Sequence, residues 1–181
     1  CKNNAPIQVL EFLVQQYPDS FKEKSYYCKR LPLHFACMNN APLEVLEFLV
    51  QRYPDSVMEK EYWGKLPLHL AWENNAPLQV LKFLVQMYPD SVKEKHNWGR
   101  LPLHIACDNN APLDILEFLV QQYPGSVKEK DKELKLPVHY SCKQNAPLQV
   151  LKFLVQQNPD SVKEKDNHRR LPLHLACENY A

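Results

Sequence analysis

A unit of about 35 residues recurs along the chain, and this repetition constrains the fold more than any single residue does. The anchor reads Leu-Pro-Leu-His at Leu31–His34, Leu66–His69, Leu101–His104 and Leu171–His174, and Leu-Pro-Val-His at Leu136–His139. A period of roughly 20 to 50 residues marks an array in which each unit buries its apolar face on its neighbours. Full units span 31–65, 66–100, 101–135 and 136–170. Residues 1–30 carry the later part of one more unit, and residues 171–181 the beginning of another, so 1–181 reads as a single repeat array.

The unit 66–100 shows the local logic. Pro67 suits the first turn of a helix, where a missing N–H costs nothing. Leu68, Ala71 and Trp72 then recur at helical spacing. Small Ala71 (Ala36, Ala106, Ser141 and Ala176 in the other copies) predicts close approach of a neighbouring helix. Asn74 and Asn75 end this short helix, since Asn tolerates the left-handed conformation. Pro77 opens a second helix through Leu78, Val80, Leu81, Phe83, Leu84 and Val85, leaving Gln79 and Lys82 on its exposed face. So wide an apolar stripe suits a helix covered on more than one side. Pro89 stops it after Tyr88, Pro-Asp-Ser makes a turn, and Lys93–Lys95 leads through a polar tip at His96–Gly99 to the next anchor.

Pro-Leu-His, the Ala-Cys that follows, the paired Asn and the Leu43–Val50 helix pattern together closely resemble the ankyrin repeat over essentially the whole chain. The form with Leu before Pro-Leu-His is similar to the large ankyrin families of diatoms and related protists. The resemblance implies an all-α ankyrin-repeat solenoid of stacked helix-turn-helix units with protruding hairpin-like loops. It implies a non-catalytic protein–protein interaction module, working through loop tips and the concave inner-helix face. It also implies that the anchor His orders the loop by hydrogen bonds. The unit departs from the family's usual length of about 33 residues by two. Leu replaces the Thr that would cap the first helix at Leu31, Leu66, Leu101, Leu136 and Leu171, so about 1 kcal/mol per cap must be supplied otherwise. The usual turn glycines are gone; only Gly64, Gly99 and Gly125 exist.

Charge and composition narrow the function. Lys plus Arg number 22 and Asp plus Glu 21, a net charge of +1. Nucleic-acid binders show a basic excess or stripe, so no nucleic acid is expected. Apolar runs such as Phe48–Val50 fall far short of the roughly 20 residues of a membrane helix, so no membrane partner is expected. Cys37, Cys107, Cys142 and Cys177 fill one repeat column, and Cys1 fits it too. Stacked helices lie about 8–10 Å apart and a disulfide needs Cα atoms within about 7 Å. The column should hold free thiols, which favours an intracellular, cytoplasmic setting.

No catalytic, cofactor or metal site is expected. His34/Cys37, His104/Cys107, His139/Cys142 and His174/Cys177 each stand three apart on one helix, but zinc needs four converging ligands and the next pair is a repeat away. The glycines are isolated rather than clustered for phosphate, and no Ser sits in a nucleophile elbow. A catalytic group should be unique, whereas these His and Cys are repeated columns. Lys-Glu-Lys segments (22–24, 93–95, 128–130, 163–165) stack by column into an expected solvated charge lattice. Glu47, Lys82, Glu117 and Lys152 alternate in sign along the outer helices, which predicts pairing between alternate units.

Columns that vary between otherwise near-identical copies mark the expected partner surface. The tips vary most: Glu61–Trp63, His96–Trp98, Asp131–Glu133 and Asp166–His168, with one extra residue in the first copy at Ser25–Cys28. The first-helix column Met38, Glu73, Asp108, Lys143 and Glu178 varies as well. Expected contacts to a protein partner are therefore Tyr26, Tyr27, Met38, Tyr62, Trp63, Trp72, Glu73, Trp98, Asp108 and Lys143. Aromatic residues at exposed tips suit binding hot spots. Neither end shows the polar outer face of a terminal repeat, so the chain is expected to be a segment of a longer array and to be open to end-to-end self-association. The competing expectation is an architectural spacer, or a regulatory array whose activity lies elsewhere in a longer protein.

Overall fold

A computed structural model describes residues 6–178. They divide between two compact units, Cys1–Ser91 and Val92–Ala181, built from the same helix pair. The first holds α1 (Ile7–Gln16), α2 (Pro32–Met38), α3 (Leu43–Arg52), α4 (Pro67–Glu73) and α5 (Leu78–Met87). The second holds α6 (Pro102–Asp108), α7 (Leu113–Gln122), α8 (Pro137–Lys143), α9 (Leu148–Gln157) and α10 (Pro172–Cys177). Each short inner helix packs on the longer outer helix that follows it: α2 on α3, α4 on α5, α6 on α7, α8 on α9. Inner helices also stack on one another, α2 with α4 in the first unit, and α6, α8 and α10 in order in the second. This is the all-α repeat architecture the sequence predicts, with no strand among the described residues.

The anchor Pro occupies the first turn of every inner helix. Ala36, Ala71, Ala106 and Ser141 are buried, as close helix approach requires. The helix ends on Asn39, Asn74, Asn109 or Gln144, and the next residue is left-handed: Asn40, Asn75, Asn110 and Asn145 have φ of 50°, 54°, 52° and 53°. Outer helices bury their stripe, with Val45, Leu46, Phe48, Leu49 and Val50 covered in α3, while Gln79 and Lys82 of α5 face solvent. The Pro-Asp-Ser segments form single 3-10 turns. The tips are tight turns rather than strand hairpins. Glu61 N–H donates to the Lys65 carbonyl (3.0 Å) and Asp166 N–H to the Arg170 carbonyl (3.0 Å), whereas Ser25 N–H spans one residue more to Arg30 (2.9 Å). A left-handed residue precedes each closing residue: Lys29, Gly64, Gly99, Leu134 and Arg169. At Gly99, with φ 77°, a Cβ would also stand 2.9 Å from the Lys132 nitrogen, so the close approach adds to the preference for glycine there.

The missing Thr cap is replaced by the anchor His. A Leu side chain accepts nothing, so only half of a capping box exists, the half in which the third helical residue reaches back. Leu31, Leu66, Leu101, Leu136 and Leu171 each donate their N–H to Nδ1 of the His three residues on, all at 3.1 Å. The other ring nitrogen reaches the far end of the same repeat. His34 Nε2–H donates to the Glu59 carbonyl (3.0 Å), His104 to Glu129 (3.0 Å) and Lys135 (3.2 Å), and His139 to Glu164 (3.1 Å). A ring that accepts at Nδ1 and donates at Nε2 is neutral. Burial, only partly offset by those carbonyls, holds His34 and His104 down at about 4, and lowers His139 as well.

These rings make stability depend on pH. An unfolded His titrates near 6.5, so below that pH the unfolded chain binds protons that the folded chain refuses. The His contribution is complete above about pH 6.5 and is lost as pH falls toward 4, on the order of 3 kcal/mol for each of His34 and His104. The urea midpoint should drop between pH 7 and pH 4.5. The His104→Ala chain should start about 2–4 kcal/mol lower, with three backbone groups left unpaired, and should show a shallower slope. A slope unchanged by His104→Ala would count against this account.

Candidate partner-binding surface

Each tip is built on a side-chain acceptor at its first position. Ser25 Oγ accepts from Arg30 N–H (3.0 Å), and Glu61 Oε1 from the N–H groups of Trp63 (2.9 Å) and Lys65 (3.3 Å). His96 Nδ1 accepts from Trp98 (3.0 Å), Asp131 Oδ1 from Glu133 (2.8 Å) and Lys135 (2.9 Å), and Asp166 Oδ1 from His168 (2.9 Å) and Arg170 (2.8 Å). Glu61, His96, Asp131 and Asp166 are buried. The variation at this position is therefore variation among loop caps, not among partner contacts. Burial would raise the Asp166 carboxyl, but the N–H groups of Arg170 and His168 and the Arg170 guanidinium outweigh it and lower it overall.

Neighbouring tips are tied by single backbone bonds. In the first unit Tyr62 N–H donates to the Cys28 carbonyl (2.9 Å). In the second, Lys132 donates to Trp98 (3.1 Å) and Asn167 to Glu133 (2.9 Å). The aromatic residues of the first unit stand on this base. Tyr26 and Tyr27 meet edge to face at 5.0 Å between centroids, and Tyr62 and Trp63 at 5.5 Å. Lys29 Nζ lies 5.6 Å from the Tyr26 ring, and the Arg30 guanidinium 5.2 Å from Trp63. Tyr26, Tyr27 and Tyr62 remain 80%, 85% and 64% exposed, and Trp63 is half-buried. In the second unit Trp98 is exposed, with its edge against His96.

The inner-helix column is divided by its partners. Glu73 pairs with Lys65 (2.7 Å), and Asp108 with Arg100 (3.1 Å) and with Gln144 Nε2 (2.8 Å). Glu178 pairs likewise with Arg170 (3.1 Å). Met38 is half-buried and Lys143 exposed. Trp72 is 2% exposed, so it lies in the core and is no surface anchor. Bulk and apolarity decide this: in the column where Cys37, Cys107 and Cys142 are buried, a large apolar ring gains most by being covered.

A second buried network surrounds Tyr140, where the other copies carry Phe35, Leu70, Ile105 and Leu175. Its hydroxyl donates to Asp131 Oδ2 (2.5 Å), the Arg100 guanidinium stacks 4.5 Å from its ring, and Arg100 Nε lies 3.7 Å from Asp131. Burial, then the Asp131 bond, pushes the phenol well above the usual tyrosine range.

The charge lattice forms, but on the loops rather than on the outer helices. Lys24 reaches Glu59 (2.7 Å), Lys95 reaches Glu129 (2.8 Å) and Lys130 reaches Glu164 (2.8 Å), each stepping from one repeat to the next. Tyr53 and Tyr123 hydroxyls hold the other carboxylate oxygens of Glu59 and Glu129. The Lys contacts hold both carboxyls below the usual range. Glu117 and Lys152, expected to pair, are exposed and form no ion pair. The tips, by contrast, are bound backbone to backbone.

Among the described residues no group of three or more His, Cys, Asp or Glu is placed to hold a metal ion. Both ring nitrogens of His34, His104 and His139 are engaged by backbone, which leaves no lone pair for a cation. Burial pushes the Cys107 and Cys142 thiols to about 12 and about 11, and also raises Cys37, so these act as small apolar groups. The described cysteines are free thiols. No described helix is long and apolar enough to cross a membrane.

The repeat geometry and the sequence agree with a family model for ankyrin repeats (3 copies), which matches residues 1–95, 33–131 and 103–181. The chain belongs to the ankyrin-repeat family, whose members are generally non-catalytic protein–protein interaction modules. A search of curated proteins returned no match.

The tip cap at Asp131 gives a direct test. Asp131→Ala removes the acceptor for two loop N–H groups and for the buried Tyr140 hydroxyl, and should cost about 2–4 kcal/mol in urea unfolding. Pairing it with Tyr140→Phe should recover part of that loss, because no hydroxyl is then stranded. Glu164→Ala, which breaks one part-exposed ladder pair, should cost less than about 1 kcal/mol.

Proposed function

We propose that this chain binds a partner protein without catalysis, through the aromatic tips of its first unit. The observation that carries the reading is the set Tyr26, Tyr27, Tyr62 and Trp63. Three of these side chains are largely exposed, and all stand on a base fixed by side-chain caps and an inter-tip backbone bond. Large rings presented on rigid backbone lose little entropy on binding and are the usual anchors of interfaces. Trp98, Met38 and Lys143 offer further contacts, with the Glu73 and Asp108 ion pairs as polar rim. Trp72 has no part in the surface. Free, buried thiols support a reducing intracellular setting for the interaction.

The spacer reading draws on one observation, that Glu73 and Asp108 are satisfied within the chain and ask nothing of a partner. One experiment separates the two. The intact chain and a Tyr26/Tyr27/Tyr62/Trp63→Ala chain, matched for helicity, are immobilised and challenged with lysate from the source cells. A protein retained by the intact chain and weakened at least about tenfold on the variant is the expected result. Equal retention on both, or none on either, returns the chain to the role of spacer.

A further inference from the structure

Leu134 stands in a conformation that leucine rarely adopts, and the fold gives it little in return. Its φ is 59°, in the left-handed region, where the Cβ crowds the neighbouring backbone. The matching tip residue is Gly64 or Gly99 in the two preceding copies, the usual choice for such a backbone. Burial could offset the strain, but Leu134 is 48% exposed. Its turn holds it there. Leu134 N–H donates to the Asp131 carbonyl (3.1 Å), and Asp131 Oδ1 accepts from the N–H groups on either side, Glu133 (2.8 Å) and Lys135 (2.9 Å). A closed turn thus presents an apolar side chain to solvent. Strain kept without a packing return is characteristic of residues that meet a ligand.

The adjoining tip carries a second exposed apolar group. Trp98 is also 48% exposed, and its carbonyl accepts from Lys132 N–H (3.1 Å), which ties the two tips together. The Lys132 stem crosses Gly99: a Cβ at that glycine would stand 3.2 Å from Lys132 Cγ. The two tips therefore present Trp98, Lys132 and Leu134 on one rigid base, a basic group with apolar groups before and after it.

Charge gives the kind of partner. Every acid of segment 128–135 is already engaged. Glu129 is held by Lys95 (2.8 Å) and the Tyr123 hydroxyl (3.1 Å), Asp131 by two loop N–H groups and the Tyr140 hydroxyl, and Glu133 by Lys135. Lys130 is matched by Glu164 (2.8 Å). Lys128 and Lys132, in contrast, are exposed and form no ion pair. For Lys128 the cause is a substitution between copies. Lys22 and Lys163 pair with Asp19 (3.2 Å) and Asp160 (3.3 Å) three residues before them, and Gly125 stands at that place here. Two cations are left uncompensated, and no acid of the segment is free to oppose an incoming carboxylate.

We propose that the tips of the second unit form a docking site for an acidic peptide segment that carries an apolar side chain. The apolar side chain packs on Leu134 and Trp98, a carboxylate beside it pairs with Lys132, and Lys128 adds attraction at longer range. A peptide fits better than a nucleic acid, because Leu134, where the strain is held, offers no π face on which a base could stack. The site lies in the second unit and stands whether or not the rings of the first unit bind a partner.

The probe is a phage-displayed library of random linear peptides, with random single-stranded oligonucleotides offered in parallel. Selection on the Tyr26/Tyr27/Tyr62/Trp63→Ala chain keeps the first unit's rings out of the result. Enriched peptides should carry Asp or Glu beside Leu, Ile, Met or Phe, and one of them, synthesised and labelled, serves for titration by fluorescence polarisation. Leu134→Gly is the decisive variant, since glycine suits the backbone and removes only the exposed side chain. Its urea midpoint should not fall, while binding should weaken at least about tenfold. Leu134→Met should retain binding. Lys132→Glu should lose the acidic peptide and regain affinity for one whose acid is replaced by lysine. Lys128→Gln should slow association at low salt only. A lowered midpoint for Leu134→Gly would make the leucine a packing residue and overturn the proposal. So would the absence of enriched peptides, enrichment without acids, binding indifferent to Leu134→Gly or Lys132→Glu, or capture of oligonucleotides in place of peptides.

Discussion

A neutral imidazole bridge holds repeats 31–65, 101–135 and 136–170 together. Its Nδ1 takes the first free N–H of the inner helix, and its Nε2 proton goes to a carbonyl some 25 residues later, at the base of the tip. One side chain thus fixes where the inner helix starts and where the returning chain must pass. A neutral imidazole does both from a buried position without carrying charge. The Leu preceding the anchor Pro follows from this. With the N–H already satisfied, the position is released from capping and contributes apolar area instead: Leu31, Leu66, Leu101 and Leu136 are all essentially inaccessible to solvent.

Much of the fold is legible from the repeat alone. The anchor Pro, the Asn pair and the Pro after it bound the inner helix to within a residue, because each acts through local backbone chemistry that neighbours do not overrule. The outer stripe is equally plain. Tip conformation is harder to see, since a left-handed residue there is Gly in two copies and Lys, Leu or Arg in the others. No single residue type announces it, and the side-chain caps and inter-tip bonds carry the strain that Leu134 and Arg169 bring.

The site is legible in part. Aromatic residues at the first tips stand out in the sequence and lie exposed on the surface, but variability by itself misleads. Ser25, Glu61, His96, Asp131 and Asp166 differ in size and charge yet share one property, a side-chain acceptor, and that shared property rather than their difference is the signal. The residue before the anchor Leu is likewise always basic, as Arg30, Lys65, Arg100, Lys135 or Arg170. Three of these bind the acid eight positions on. Trp72 misleads for the opposite reason: replacing a small buried residue with a large one looks like an anchor on the page and is covered in the fold.

The spacing of these ties bears on how such a chain changes length over generations. The helix cap, the imidazole bridge and the tip cap all close within one 35-residue unit, and the tip bond and the Lys–Glu step reach only the adjacent one. Gain or loss of a whole unit by unequal recombination would leave every tie intact, because the new neighbours present the same groups at the same offsets. A single inserted residue is absorbed where the closing ties can still span it, as between Ser25 and Arg30, where the first tip carries its extra residue and both bonds between these two residues form. Copy number is free to drift in such a gene, while the frame of the repeat is held fixed.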